Sequence, residues 1–162
     1  MTASAHPELD LTISRIIRAP RAAVWHAWVD PASFERWWVP APTLCRVREM
    51  NLQAGGSFRT EISEDGLEYG PHITGCFLAV DELERIVYTD ALVAGWRPAE
   101  ASFVTAVITM ADHPDGTEYT ATAMHRSRAD RDRHEELGFH DGWGTVIRQL
   151  AELVEGEEPN RH

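Results

Sequence analysis

Two hydrophobic periods run along the chain, and the change between them falls near Pro42. Before it, Leu11, Ile13 and Ile17 sit at strand spacing and predict a first strand ending at Arg18. Val24, Trp25 and Trp28 then follow at helical spacing. Pro20 suits the opening turn of that helix, where its missing N–H leaves no partner unmet. Asp30-Pro31 stops this helix and caps a second short one holding Phe34, Trp37 and Trp38, which Pro40 and Pro42 end. Beyond Pro42 the pattern alternates. It predicts strands over residues 44–50, 57–63, 73–80, 85–90, 102–110 and 118–124, separated by Gly55-Gly56, Asp65-Gly66, Asp81-Glu82 and Asp115-Gly116. All connections are of hairpin length except 91–101, so an antiparallel sheet is expected. Residues 131–154 predict one long amphipathic helix with Phe139, Trp143, Val146, Ile147, Leu150, Leu153 and Val154 on one face.

This order fixes an architecture. A curved antiparallel sheet must cover its apolar face, and the last helix is the one element long enough to do so. The expected fold is therefore α+β of the helix-grip kind: a sheet wrapped around a long C-terminal helix, with the two short helices closing one end. No repeat or linker interrupts the pattern. Residues 10–154 read as one domain, 1–9 as a flexible leader and 155–162 as an acidic tail.

The alternation also says what faces inward: Val104, Ala106, Ile108 and Met110; Tyr119, Ala121 and Ala123; Phe58, Thr60 and Ile62. Three alanines and a threonine are small for a face that meets a helix. Either the helix approaches closely there or space remains, and six Trp residues can line a cavity as readily as fill one. Gly142 and Gly144 lie inside the final helix, each costing about 1 kcal/mol relative to Ala. They either admit another backbone or open the mouth of a cavity. Helical spacing puts His140 on a stripe with Glu136, Trp143, Ile147 and Val154, where it either presents a polar group to an apolar chamber or bonds Glu136 or backbone. The expected lining is Trp38, Phe58, Thr60, Tyr88, Trp96, Ala106, Ala121, His140 and Trp143, with His140 and Thr60 orienting a polar end of the ligand.

Composition narrows the classes. The 162 residues are 43% hydrophobic and 25% charged, an ordinary globular mix. Fifteen basic residues, all Arg, stand against 26 acids, giving a net charge of −11. That argues against nucleic acid or an anionic membrane as partner. No run of 18 apolar residues exists, so no membrane insertion is expected. The first twenty residues carry charges where a signal peptide needs an apolar stretch. Cys45 and Cys76 read as reduced, buried thiols, and the chain as cytoplasmic.

Chemistry-bearing motifs are few. No dinucleotide fingerprint, phosphate-binding loop or nucleophile elbow is present, so no cofactor is expected. His134-Glu135-Glu136 is not H-E-x-x-H, and His134 and His140 are six apart on different faces of a regular helix, so no metal site is expected. Asp90 ends a strand in phase with Ile86 and Tyr88. It either faces the cavity mouth, as a general base, or is solvated there. Trp96-Arg97-Pro98 reads equally as a lid or as a surface loop.

Ala19-Pro20-Arg21-Ala22-Ala23-Val24-Trp25-His26-Ala27-Trp28-Val29-Asp30-Pro31 resembles the opening signature of the START-like (SRPBCC) superfamily. Trp37-Trp38, Gly55-Gly56 before Phe58, and Gly142-Trp143 resemble the branch named for the C-terminal domain of the activator of heat-shock-protein 90 ATPase. The resemblance spans about residues 10–154 and implies a helix-grip fold with a deep apolar cavity. The superfamily includes lipid and hormone carriers, cyclases and oxygenase domains, so no catalytic residue carries over. The eukaryotic activators add a separate N-terminal domain that 162 residues do not accommodate, so chaperone activation is not the expectation. The leading reading is a non-enzymatic domain binding a small apolar or aromatic ligand. The alternatives are a cyclase- or lyase-like enzyme with His140 or Asp90 as general acid/base, and a co-chaperone-like module acting through an acidic surface. The sequence leaves open whether a sheet edge or the Trp96 loop forms a homodimer.

Overall fold

The computed structural model describes residues 6–156. The expected leader and acidic tail lie largely outside them. The chain runs β1 (Asp10–Ile17), α1 (Arg21–Val29), α2 (Pro31–Phe34), β2 (Leu44–Met50), β3 (Ser57–Ser63), β4 (Gly70–Asp81) and β5 (Arg85–Thr89). It continues through β6 (Leu92–Val93), a helical turn (Ala94–Trp96), β7 (Arg97–Pro98), β8 (Thr105–His113), β9 (Gly116–Met124), α3 (Arg128–Glu136) and α4 (Phe139–Gly156). Seven strands form one antiparallel sheet in the order β1-β9-β8-β5-β4-β3-β2, and β6 and β7 form a separate small hairpin. Register shifts fall in three successive pairings, at Val47/Glu49, Arg59/Glu61 and Phe77/Ala79. Such irregularities bend strands and add twist, which curves the sheet around α4. This is the mixed α+β helix-grip architecture.

Inward positions follow the alternation in β8 and β9, where Ala106, Ile108, Met110, Tyr119, Ala121 and Ala123 are buried along with Val104 just before β8. In β3 Phe58 and Thr60 are buried, but beyond Thr60 it is Ser63 rather than Ile62 that turns inward. The register shift beside Thr60 breaks the two-residue period there. Cys45 and Cys76 are buried free thiols. Burial pushes the Cys45 thiol up to about 12, with the nearby Glu35 charge adding to it, and burial raises Cys76 too. Both thiols are held in the unreactive protonated form.

The expected single helix over 131–154 is corrected to two. Ser127 accepts a hydrogen bond from the Asp130 backbone N–H at 3.1 Å and starts α3 ahead of the expected point. Gly138 then adopts φ +97°, a conformation that suits glycine and ends the helix. The chain restarts as α4, with the Gly142 N–H donating to the Gly138 carbonyl at 2.8 Å. The short second helix also ends earlier than expected, at Phe34, with Trp37 and Trp38 in the turn beyond it. Asp30 caps it as expected, accepting from the Ser33 backbone and hydroxyl at 3.2 and 2.8 Å.

One end of the space between sheet and α4 is filled by an aromatic block. Trp28 is fully buried and meets Phe34, Trp37, Trp38, Phe58 and Tyr88 at ring distances of 5.0 to 6.2 Å. Its indole N–H donates to the Tyr119 hydroxyl at 3.0 Å, joining α1 to β9. A buried donor left without a partner costs about 1–3 kcal/mol. Tyr119→Phe should therefore lower stability by about that amount, read as a lower urea midpoint with an unchanged slope. An unchanged midpoint would show that the bond contributes nothing net.

Candidate functional site

Beside this block the sheet and α4 do not close. A cavity of about 460 Å³ lies between them. Tyr88, Ile108, Tyr119 and Ala121 form its sheet wall. Ala121 lies opposite Ile13 on one side and Ile108 on the other, and its methyl group leaves the space between those larger neighbours unfilled. Gly142, Trp143, Val146 and Ile147 of α4 form the facing wall. A Cβ on Gly142 would meet nothing within 4 Å, whereas one on Gly144 would only touch Ile13, at 3.5 Å. Gly142 thus adds open space rather than a close backbone approach.

The roof is the segment from Trp37 to Pro40. It is held by one side chain of α4. The Gln149 amide donates to the carbonyls of Trp37 and Val39, at 3.1 and 2.8 Å, and its oxygen accepts from the Ala41 N–H at 2.8 Å. All the hydrogen-bonding groups of that amide act on this irregular segment, which the Trp37 indole N–H also ties to the Ala27 carbonyl of α1 at 3.0 Å.

Asp90, Phe103, Val104 and His134 line the remaining side, with His72. Asp90 accepts from the backbone N–H groups of Phe103 and Val104 at 2.8 and 3.0 Å through one carboxylate oxygen. It is half-buried rather than solvated at a strand end. His134 rests against the rings of Phe103, Phe139 and Trp143, at 4.7, 5.2 and 5.9 Å. Its Nδ1 lies 2.8 Å from Nε2 of the buried His125. Burial, and secondly the electrostatic influence of the neighbouring His125, lower its pKa from 6.5 to about 4. Among the described residues no three side chains of metal-binding type come together.

Four of the nine expected lining residues, Trp38, Tyr88, Ala121 and Trp143, are on the cavity wall, and so is Asp90. The others are corrected. His140 is exposed, with Nε2 3.8 Å from Glu135 rather than Glu136, because the break at Gly138 turns its face to solvent. Phe58 stacks on Phe77 at 4.7 Å inside the aromatic block. Ala106 is buried in the sheet core. Thr60 is buried behind the wall, accepting from the Ile73 N–H at 3.1 Å and meeting Nδ1 of His72 at 3.2 Å. Trp96 is 49% exposed and packs over Gly55, so close that a Cβ there would lie 2.8 Å from its indole nitrogen. Of the two readings of that loop, the structure shows a surface hairpin.

His134, Phe103, Gln149 and the Trp37–Pro40 roof were missed. The signals for His134 were present in Ser127-x-x-Asp130, a cap that starts a helix, and Leu137-Gly138, a stop.

A sheet gripping a C-terminal helix across an apolar cavity is the architecture of START-like (SRPBCC) proteins. The family described as activator of Hsp90 ATPase homolog 1-like protein matches residues 18–155, and this chain belongs to that family. No curated protein sequence matches the chain. Among solved structures, a protein of Nitrosomonas europaea is 39% identical, covers 96% of this chain and all of its own, and superposes with a TM-score of 0.89. A Chromobacterium violaceum protein is 25% identical over 90% of this chain and 97% of its own, with a TM-score of 0.72. An AHSA1-like protein of Aeromonas hydrophila, at 19% identity, covers 95% of this chain and 99% of its own with a TM-score of 0.65, a likeness of fold. Among the described residues no helix is long and apolar enough to cross a membrane.

The lowered His134 pKa has a stability consequence. The folded state takes up this proton less readily than the unfolded state, so its contribution is complete above about pH 6.5 and lost as pH falls toward about 4. The carboxylates of Asp30, Glu49 and Asp65 are themselves lowered from 3.8 or 4.5, mainly by hydrogen bonds, so they act at lower pH. Burial lowers His72 as well, so thermal midpoints should fall between pH 6.5 and 5, and His134→Asn should lessen that fall without removing it. A wild-type midpoint constant over the interval would contradict the burial of a neutral ring.

Proposed function

We propose that this protein binds a small apolar or aromatic molecule in the cavity between the sheet and α4. The observation that carries this reading is the cavity of about 460 Å³ between the sheet and α4, lined mostly by apolar and aromatic side chains. That volume falls within the usual range of about 300–1,000 Å³ for ligand pockets. Interiors close such space unless small residues hold it open. Here Ala121 and Gly142 do so from opposite walls, while Trp38, Tyr88 and Trp143 offer aromatic faces. Apolar contact would supply affinity, and the polar groups on the Asp90 and His134 side would set orientation. Family membership agrees with a ligand-binding domain. The family description concerns an Hsp90 ATPase activator, but the cavity favours a small-molecule role over a chaperone contact.

A second reading rests on Asp90. Its other carboxylate oxygen has no partner among the described residues, and its side chain lines the cavity, where a general base for a carbonyl substrate would stand. Loss of turnover of such a compound in Asp90→Asn would favour catalysis. His140 no longer supports that reading, because it lies outside the cavity.

Gly142→Leu tests binding directly. The new side chain enters open space and removes a helix-interior glycine worth about 1 kcal/mol. Stability should hold or rise, while affinity for naphthalene, followed by isothermal titration, should drop at least tenfold. Undiminished binding by the folded variant would place the site elsewhere. Native mass spectrometry of freshly purified protein, followed by extraction, would identify a co-purified ligand.

A further inference from the structure

The polarity of one cavity wall can be assigned proton by proton. His125 places Nδ1 2.8 Å from the carbonyl oxygen of Leu9. A carbonyl only accepts, so Nδ1 of His125 carries a proton. The ring is buried, and together with His134 it sits among Phe103, Phe139 and Trp143. With one proton on each ring, His125 has a bare Nε2. That atom lies 2.8 Å from Nδ1 of His134, so the His134 nitrogen is the donor. A neutral His134 with its proton on Nδ1 has a bare Nε2 in turn. The lowered pKa of His134 agrees with the neutral ring.

Among the described residues that last nitrogen has no protein partner. Among the described residues, the buried side-chain nitrogens sealed from solvent without one are Trp38 Nε1 and Arg131 Nε, so Nε2 of His134 is open. Its ring lines the cavity beside Phe103. On the other side of Phe103, Asp90 holds the Phe103 backbone N–H, and its second oxygen is a further acceptor. The relay from the Leu9 carbonyl through two rings thus ends as a fixed acceptor on an apolar wall.

We propose that Nε2 of His134 selects ligands bearing an O–H or N–H, so that the molecule bound here is a hydroxylated or N–H-bearing aromatic rather than a plain hydrocarbon, ether or ester. This rests on the cavity being the binding site. In place of the unidentified ligand, naphthol and its methyl ether serve as probes. They share the same ring system and differ in the donor. Fluorescence titration of the full chain should give about tenfold tighter binding of naphthol. His134→Asn keeps an amide N–H near the Nδ1 position, to hold His125, and deletes the Nε2 acceptor. It should abolish the preference by weakening naphthol while leaving the ether unchanged. His134→Gln, which returns an amide oxygen near the Nε2 position, should restore part of it. Equal binding of both probes by the wild-type protein would overturn the donor requirement while leaving the cavity reading intact. So would a preference that survives in His134→Asn. Binding of neither probe, or binding of both unaffected by Gly142→Leu, would overturn the cavity reading and this inference together.

Discussion

The Trp28 indole has to find an acceptor where no water reaches, and the rest of the interior is arranged around that requirement. Its partner is the Tyr119 hydroxyl at 3.0 Å, so α1 is pinned to β9, the strand beside the β1 edge of the sheet. Once that bond is made, the large faces of Trp28 must also be covered. Phe34, Trp37, Trp38, Phe58 and Tyr88 cover them as tilted and edge-on neighbours, the arrangements aromatic rings favour. The block that results is wide and rigid. It props the sheet and α4 apart, and the smaller residues beyond it do not take up the separation. The cavity is the remainder of that packing.

Two further devices shape what remains. Gln149 uses its whole amide to hold the Trp37–Pro40 roof against α4, which substitutes side-chain bonds for a ladder that prolines forbid. Gly138 divides the C-terminal segment, so that α3 folds back and brings His134 against Phe139 and Trp143. Without that break, His134 and His140 would follow one helical course. With it, the first faces the cavity and the second faces water.

Charge is distributed to match. Burial disfavours charge around the cavity: it raises two thiols and the two tyrosines of the cavity wall and lowers two histidines, His134 and His72. Ion pairs such as Arg46 with Glu61 and Arg131 with Glu135 are surface features, each worth little on its own. The −11 balance belongs to that surface. Asp90 is the exception, a carboxylate on the cavity wall, anchored by two backbone N–H groups.

The sequence by itself determined the order of the seven main-sheet strands and the two early helices, the strand periods and which face of β8 and β9 turns inward, because a period of two or 3.6 residues is a local property that burial then enforces. It also placed Tyr88, Ala121 and Trp143 on the inward faces that form the wall, through alternation and helical spacing, but alternation alone did not separate them from Phe58 and Ala106, which face inward on regular strands and are taken up by the packed core. The positions it could not place lie where regularity fails. Thr60 sits beside a register shift, Trp96 sits in an irregular turn with φ +66°, and His140 lies just past a glycine break. Whether the aromatic residues would fill the space or enclose it was likewise undecided, since that depends on how the separation between sheet and helix compares with the summed side-chain volume. The meeting of His125 with His134, and the donor and acceptor roles it imposes, required tertiary structure. A hydrogen bond between rings nine residues apart, anchored on the Leu9 carbonyl more than a hundred residues away, has no local signature.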